Sequence, residues 1–520
     1  MKFIKILLLS MFTLTMAAQT VAKKTPLTDQ ELKRWSHLDL EKDSIPGMSV
    51  DKVYSEFLKN KKSTKVIVAV IDSGVDIDHE DLKAVIWTNK KEIPNNGKDD
   101  DKNGFVDDVH GWNFLGESNN ENLEMTRVLK KADDGSEVYK KALADYTAKL
   151  SEVKDLKENL DVLLKADKAV RETLKNDNYT VSELKDMPSV KFDLYNAKRI
   201  MLSYATQNGD SFHDDLKSYQ DYVYDQLDYN LNKDFNARKL VGDNPEDIND
   251  KKYGNNKVYS KERKDSLHGT HVAAIIAQGR DNGLGGDGVA DNVEIMPIRA
   301  VPNGDEYDKD IALAIRYAVD NGAKVINASF GKDYSPNAQW VYDAIKYAAS
   351  KDVLIVHAAG NDSKDIDTEP NFPTDDVDGK EIADNVLTVG ALNYEYGEKV
   401  VANFSNYGKR NVDVYAPGVE IYAAIPDNKY KYLQGTSMAS PNAAGVATLI
   451  REYYPNLKAA QVKQILMQSG TALNLEVIVD EKKIQIPFSD ASVSGKIVNA
   501  FNALKMAEEM SNAIKKNPKL

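Results

Sequence analysis

The 520-residue chain is long enough to bury a large core and to carry an added or inserted domain. Its 42% hydrophobic and 29% charged residues are typical of a soluble globular protein. The net charge of −13 argues against general binding to nucleic acid or to anionic membranes, and the absence of cysteine excludes disulfides, thiolate metal sites and a cysteine nucleophile.

Residues 1–22 have the three-part layout of a secretory signal peptide. Lys2 and Lys5 precede an apolar stretch at 6–16, and small residues follow at 17–22. The apolar stretch is shorter than an ordinary membrane span, and no later segment reaches that length. We therefore expect an exported protein, periplasmic or secreted, without stable membrane association. A short membrane anchor is the alternative.

The first predicted strand follows a polar N-terminal extension at 23–64, which contains a predicted short helix at 50–60. Residues 66–71 form a continuous, largely β-branched run, as expected of a buried parallel strand. The strand ends at Asp72, and the carboxyl end of a central strand is where α/β sheets place functional groups. A turn or helix-capping aspartate is the alternative at this position.

Acidic and amide side chains alternate along residues 99–108, in the D-x-D-x-N-G spacing of calcium loops. The predicted oxygen ligands are the side chains of Asp99, Asp101, Asn103 and Asp108 and the main-chain carbonyl of Phe105. His110 stands where an EF-hand has glutamate, and no helix pair flanks the loop. The pattern predicts a structural calcium ion in a loop grafted onto another fold, and the alternative is an acidic turn without an ion.

Residues 115–261 are predicted to form a helical insertion. Lys, Glu, Asp, Ala and Leu recur at helical spacing over 123–174, and the stretch 187–240 is dense in Tyr, Asp and Asn. Neither part shows a repeat or a catalytic pattern. We expect a solvated helical surface with one buried stripe.

Two histidines, His268 and His271, open an apolar helix of small residues that follows the insertion. One interpretation is a metal pair at positions i and i+3, although the accompanying Glu of zinc hydrolases is missing. The other is a single catalytic base with a structural neighbour.

The chain then alternates strands and helices. Strands are predicted at 293–298, 324–328, 353–357 and 386–390, and helices at 309–321, 336–350 and about 495–512. This alternation predicts an α/β fold with a doubly wound, mainly parallel sheet and helices on both faces. Residues 506–520 are assigned to a C-terminal tail.

The run at 434–445 predicts a sharp turn at Gly435 followed by the start of an apolar helix. Ser437 lies at the helix N-terminus, where the helix dipole favours developing negative charge. That position suits a nucleophile, but a serine that caps a buried helix has the same local sequence. The run on its own favours the cap.

Three of these stretches together resemble the catalytic signatures of the subtilisin-like serine proteases, or subtilases. They are residues 70–74 (VIDSG), 268–273 (HGTHVA) and 435–441 (GTSMASP), in the chain order Asp, His, Ser known for subtilisin. The resemblance covers a catalytic domain in two parts, 65–114 and 262–505, and leaves out the insertion. It implies a subtilisin-like fold.

The resemblance also implies roles for the matching residues. Ser437 would be the nucleophile, His268 the base that takes its proton, and Asp72 the carboxylate that orients the imidazole. Asn361 matches the asparagine of the oxyanion hole, where it would act with the Ser437 amide.

A further segment matches the edge that pairs with an extended peptide substrate; it consists of Ser329, Phe330 and Gly331. His271 and Ser440 fall at structural positions of the motifs. We therefore expect a monomeric serine endopeptidase that acts on protein or peptide substrates through an acyl-enzyme, without organic cofactor or nucleic acid. A catalytically silent peptide-binding relative and a metal-dependent hydrolase are the alternatives.

The chain departs from the family pattern in three places. The interval between Asp72 and His268 is unusually long, so the insertion should leave and re-enter near the active-site rim, where it would narrow access, bind a partner or be mere decoration. Pro441 is followed by Asn442 instead of histidine. The stretch before Asp72 is too short for the usual propeptide plus a mature N-terminus.

Overall fold

The structure, a computed structural model, describes residues 23, 25–188, 191–480 and 482–517. The predicted signal peptide at 1–22 lies outside this described part. Within it, no helix is both long enough and apolar enough to cross a membrane.

The described residues form fifteen β-strands. In chain order they are β1 (Val66–Asp72), β2 (Trp112–Asn113), β3 (Val293–Arg299), β4 (Val325–Ala328), β5 (Leu354–Ala358), β6 (Asp376–Val377), β7 (Lys380–Glu381), β8 (Val386–Leu392), β9 (Val414–Pro417), β10 (Ile421–Ile425), β11 (Lys429–Leu433), β12 (Thr471–Ala472), β13 (Glu476–Val479), β14 (Ile484–Pro487) and β15 (Lys496–Ile497).

The same part of the chain contains fifteen α-helices. They are α1 (Asp29–Arg34), α2 (Leu40–Asp43), α3 (Val50–Lys52), α4 (Glu124–Lys130), α5 (Glu137–Leu174), α6 (Val181–Asp186), α7 (Phe192–Asn208), α8 (Phe212–Asp225), α9 (Arg238–Val241), α10 (Leu267–Ala277), α11 (Asp308–Asp320), α12 (Ala338–Ser350), α13 (Thr436–Tyr453), α14 (Ala459–Ser469) and α15 (Ala500–Lys516).

Nine of the strands form one central sheet, in the order β12-β15-β9-β8-β5-β4-β1-β3-β2. All neighbouring pairs are parallel except β12 and β15. Strand β1 lies between β3 and β4, so its carboxyl end is flanked by strands on both sides. Three two-stranded sheets, β10-β11, β13-β14 and β6-β7, lie outside this sheet.

The sheet has an apolar core on each face because its strands are apolar on both sides. Along β1, Val68 and Val70 pack into one cluster with α10 and α13, whereas Ala69 and Ile71 pack into another with α11 and α12. Helices therefore cover both faces. The predicted α/β class with a doubly wound, mainly parallel sheet is confirmed.

The N-terminal extension packs against the core around the central sheet. Trp35 is fully buried, and its indole N–H donates to the carbonyl of Val419 at 2.9 Å. Met48, Val50 and Val53 are also fully buried, in the cluster that contains β1. The predicted helix at 50–60 is present as α3 continued by a π-turn at Val53–Phe57.

The insertion has its own apolar core, built mainly from α4 to α8. Its two ends lie side by side, because the Asn113 amide donates to Asn255 at 2.8 Å and the Asn255 amide donates back at 3.0 Å. Soon after its return, the carbonyl of Val258 accepts from the amide of Val75, just beyond Asp72. The insertion thus leaves and re-enters close to the end of β1.

The C-terminal boundary differs from the prediction. Helix α15 continues to Lys516, and Ala507 and Ser511 on it are fully buried. Residues 506–516 are therefore helical and pack against the core around the central sheet, and they do not form a tail. The apolar spacing of the last helix extends beyond the point where the basic residues suggested an end.

Candidate active site

The carboxyl end of β1 meets the first turn of α10. His268 Nδ1 donates to Asp72 Oδ1 at 2.7 Å. The close approach requires glycine at position 269, since a Cβ there would lie 2.2 Å from the carbonyl oxygen of Gly74. Asp72 also accepts the Ser73 amide at 2.7 Å, and these two bonds fix the orientation of its carboxylate.

The two groups differ in exposure. The Asp72 side chain is 1% exposed and that of His268 is 39% exposed, so the imidazole reaches the cleft while its partner is hidden. Burial lowers the pKa of His268, but the charge of Asp72 and the hydrogen bond outweigh burial and raise the pKa above its ordinary 6.5. The Asp72 carboxylate therefore favours a protonated imidazole.

Ser437 is the second residue of α13 and is half-buried at the cleft. Gly435, which precedes the helix, has φ of 145° and allows the chain to turn into it. Pro441 inside α13 has no N–H to donate to the carbonyl of Ser437 four residues earlier. Ser329 Oγ donates to that carbonyl instead, at 2.9 Å, and so connects the first turn of α13 to the end of β4.

The Ser437 hydroxyl donates to the carbonyl of Ser329 at 3.4 Å. Within the described residues it has no hydrogen bond to His268. Such bonds are often long or absent before substrate binds, and a rotation of the serine side chain changes its partner.

Asn361 follows β5 and lies beside the start of α13. Its Oδ1 accepts from the Thr436 amide at 2.8 Å and from the Thr436 hydroxyl at 3.0 Å. The Thr436 hydroxyl in turn accepts from the Gly360 amide at 3.0 Å. Because Oδ1 is used in this way, the amide group Nδ2 is left to donate into the cleft next to Ser437.

The predicted edge segment follows β4. The carbonyl of Phe330 accepts from His357 Nε2 at 2.9 Å. Lys332 pairs with Phe372 through two backbone hydrogen bonds of 2.9 Å. Between them, Gly331 is exposed and makes no backbone hydrogen bond within the described part of the chain, so its N–H and C=O can pair with an extended peptide.

The neighbouring motif residues are structural. His271 is fully buried; its Nε2 bonds the carbonyls of Ile421 and Lys431 at 3.0 Å, and burial lowers its pKa to about 4. Ser440 is fully buried and donates to Asn327 and Val356.

Asn442, where the family pattern has histidine, is fully buried as well. Its Nδ2 donates to the carbonyls of Pro417 and Met438 at 3.0 and 3.2 Å. The amide nitrogen is therefore bonded, whereas the buried Oδ1 has no hydrogen-bond partner in the described part of the chain.

The acidic loop brings together three carboxylates: oxygens of Glu92, Asp99 and Asp101 all lie within 4.8 Å of one another. Glu92 is 6% exposed, and its Oε2 has no hydrogen-bond partner in the described part of the chain. Its Oε1 accepts the Asp101 amide at 3.1 Å. An unpartnered, buried carboxylate oxygen beside two more carboxylates fits a calcium ion.

The other predicted ligands lie next to this group. Asn103 Nδ2 donates to Asp108 at 3.0 Å, and its Oδ1 accepts the Phe105 amide at 2.8 Å. Asp108 is fully buried and also accepts from Asn89 and from the Tyr317 hydroxyl. The structure thus places Asp108 in a hydrogen-bond network beside the three carboxylates and not among them.

Two features of the site had no sequence prediction. Glu92 precedes the acidic run by seven positions, and only the fold of the loop turns it inward. Thr436 is a residue of the serine motif, but its role in holding Asn361 requires the loop after β5 to meet α13.

Comparison with known proteins agrees with this geometry. The sequence model of the subtilase family matches residues 63–484. A thermophilic serine proteinase of Bacillus sp. (strain AK1) is 40% identical over 40% of this chain and 47% of that protein. The cell wall-associated protease of Bacillus subtilis (strain 168) is 36% identical over 41% and 22% of the two chains.

Subtilisin DY of Bacillus licheniformis is 39% identical to this chain over 40% of its length and 71% of that protein. The chain thus spans about half or less of the first two relatives and more than two thirds of the third. The family match covers more than half of the chain, and this chain belongs to the subtilase family.

Proposed function

We propose that this protein is a serine endopeptidase that hydrolyses peptide bonds through Asp72, His268 and Ser437. The observation that carries the proposal is the 2.7 Å bond between His268 and the buried Asp72, on an imidazole that is 39% exposed. The free amide of Asn361 next to the serine adds the donor that an acyl transfer needs.

In the first step Ser437 Oγ forms a bond to the scissile carbonyl carbon while His268 Nε2 takes the hydroxyl proton. Asp72 accepts from Nδ1–H and stabilises the imidazolium that forms. The carbonyl oxygen becomes an oxyanion, to which Asn361 Nδ2 and the Ser437 amide donate. The field at the start of α13 favours the same negative charge.

The tetrahedral intermediate collapses when the carbon–nitrogen bond breaks and His268 gives its proton to the leaving amine. The product of this step is an ester between the substrate acyl group and Ser437. Water then attacks the ester carbonyl, His268 takes a proton from it, and the same proton returns to Ser437 Oγ when the acid leaves.

Protein or peptide substrates fit this site because Gly331 can bind the main chain of an extended substrate peptide. Its free N–H and C=O can bond any sequence. The metal-dependent alternative has less support, since His271 is buried against two carbonyls and no group of three potential ligands in the described part of the chain includes either histidine.

The test is pre-steady-state hydrolysis of an activated peptide ester, with and without a chelator. We expect a burst of leaving group equal to the enzyme concentration, followed by slower turnover, and no burst from Ser437→Ala. Turnover without a burst, lost on chelation and retained in Ser437→Ala, would favour the metal-dependent hydrolase. Peptide binding without any turnover would favour a silent relative.

We also propose that Glu92, Asp99 and Asp101 hold a structural calcium ion, with Asn103 and Phe105 as the further predicted ligands and Asp108 in the adjoining hydrogen-bond network. The buried, unpartnered oxygen of Glu92 supports this choice. When bound, the ion would neutralise the mutual repulsion of the carboxylates and so stabilise the loop between β1 and β2. Export to the periplasm or beyond remains a prediction from residues 1–22.

A further inference from the structure

The insertion lines two cavities, of which one is also lined by Ser437 and the other by His268. A cavity of about 320 Å³ is lined by Ser437 and Asn361 and also by Leu123 and Met125 of the insertion. A second cavity, of about 540 Å³, is lined by His268 and by residues of α8. The insertion is therefore part of the cleft in which a substrate would lie.

The insertion also covers the backbone that follows β3. The Asn303 amide donates to Asn119 at 2.8 Å, and the Asn303 carbonyl accepts the Glu121 amide at 3.0 Å. The Asp305 amide donates to Asn122 at 3.3 Å. Since these groups are used within the protein, segment 303–305 cannot pair with a substrate through them.

A buried ionic group holds the start of α4 in this place. Arg127 donates to the carbonyls of Asp305 and Glu306 at 2.8 and 3.1 Å and forms an ion pair with Glu124. Lys332, directly after Gly331, donates to Glu124 and to the Glu306 carbonyl, both at 2.8 Å. All three charged side chains are at least nine-tenths buried.

The charged groups that line the cavity beside Ser437 each have a bonded partner within the protein. The apolar lining of this cavity comes from Leu123, Met125, Phe330 and Ala358. Lys332 is neutralised by its carboxylates, and Asp333 and Asp362 both lie near Lys364, at 2.8 and 3.6 Å. Asp305 is half-buried and accepts the Glu124 amide at 2.7 Å, and burial raises its pKa to about 6.

We propose that Leu123 and Met125 are specificity-determining residues of the protease, and that they select an apolar substrate side chain next to the scissile bond. Both share one cavity with the nucleophile and the free edge residue Gly331. Arg127 is the positioning residue, since it fixes α4 to the segment after β3. The inference rests on the proposed peptidase activity and names the substrate class of that same site.

The experiment measures kcat/KM of the full-length protein for peptides that differ only at the residue before the scissile bond: Ala, Leu, Phe, Trp, Lys and Arg. We expect the wild type to prefer Leu or Phe. Leu123→Ala and Met125→Ala should each shift the ratio of kcat/KM for Trp over Leu upward by about 10-fold, as for pocket changes of a few methylenes. Val162→Ala, a 52% exposed position on α5, should leave the ratio unchanged.

Arg127→Lys keeps the charge but cannot bond two carbonyls with one fork. We expect it to raise KM for the Leu peptide while kcat, corrected for the folded fraction, stays close to wild type. An Arg127→Lys protein with unchanged KM would remove the positioning role.

Three further outcomes separate this inference from the proposed function. A wild type that cleaves normally, with ratios unaltered in both alanine variants, overturns the specificity assignment alone. A preference for Lys or Arg that Asp305→Asn abolishes also overturns the specificity assignment, because the pocket would then select a positively charged side chain. A wild type that shows neither burst nor cleavage overturns both proposals.

Discussion

Replacement of Asn361 by alanine tests how the transition state is stabilised. The variant removes Nδ2, the only side-chain donor that we assign to the oxyanion, and leaves Asp72, His268 and Ser437 in place. Loss of such a donor costs about 10²–10³ in kcat, or about 2.7–4 kcal/mol, a magnitude that comes from subtilisin itself. KM should change little, because the donor acts on the oxyanion and not on the ground-state carbonyl.

The same substitution also removes two hydrogen bonds from Thr436, at 2.8 and 3.0 Å. Their loss should lower stability by about 1–2 kcal/mol. Thr436→Val is the matched control, because it loses the two 3.0 Å bonds of the hydroxyl, to Asn361 and from Gly360, yet keeps the amide bond and the Asn361 donor. We expect kcat of this control within about 10-fold of wild type.

The assay is the initial rate of a chromogenic peptide, corrected for the folded fraction by near-ultraviolet circular dichroism. Asn361→Ala with kcat within fivefold of wild type would refute the assigned oxyanion hole. A large loss that appears equally in Thr436→Val would also refute it, since packing and not the donor would then be the cause.

Three other predictions concern pH and metal. Asp72→Asn should lower kcat by up to about 10⁴. It should also move the acid limb of the pH–rate profile to lower pH, because the raised pKa of His268 depends on the Asp72 charge; a limb that stays in place would contradict this. Calcium removal should lower the thermal midpoint of wild type but have little effect on Glu92→Gln, whereas Asp100→Asn, an exposed neighbour outside the carboxylate group, should respond like wild type. Burial raises the pKa of Glu452 from 4.5 to about 9, so the folded state holds this proton more tightly and loses stability as pH rises from 4.5 towards 9. Glu452→Gln should therefore gain about 2–4 kcal/mol more at pH 8 than at pH 5 in urea unfolding, and an equal gain at both would count against a buried carboxylate.

The sheet and the positions of the candidate catalytic residues were predictable because their signals are local. The run that ends at Asp72 and the glycine-flanked turn before Ser437 each specify an element end, and parallel strands bring such ends to one edge. Strands β3, β4, β5 and β8 and helices α11 and α12 lie within a few residues of their predicted positions, whereas α14 and the strands after β8 had no prediction. The family resemblance supplied the pairing of the three motifs.

The cleft walls were not predictable because they depend on docking. The helical spacing of 123–174 places Leu123 and Met125 in a buried stripe of a helix. No feature of the local sequence indicates that α4 lies against the segment after β3. The buried Arg127 and Lys332 each resembled a surface cation, since their partners are distant in sequence. Trp35 likewise gave no sign that the extension packs onto the sheet core.

Mapping of a fluorophosphonate adduct by mass spectrometry tests the central claim most directly. Ser437 and Ser440 lie on one helix, but Ser440 is fully buried and bonded to Asn327, whereas Ser437 is half-buried at the cleft. We predict one adduct per chain on Ser437, absent from Ser437→Ala and strongly slowed in His268→Ala. An adduct that persists in Ser437→Ala, or none on a folded wild type, would contradict the proposed mechanism.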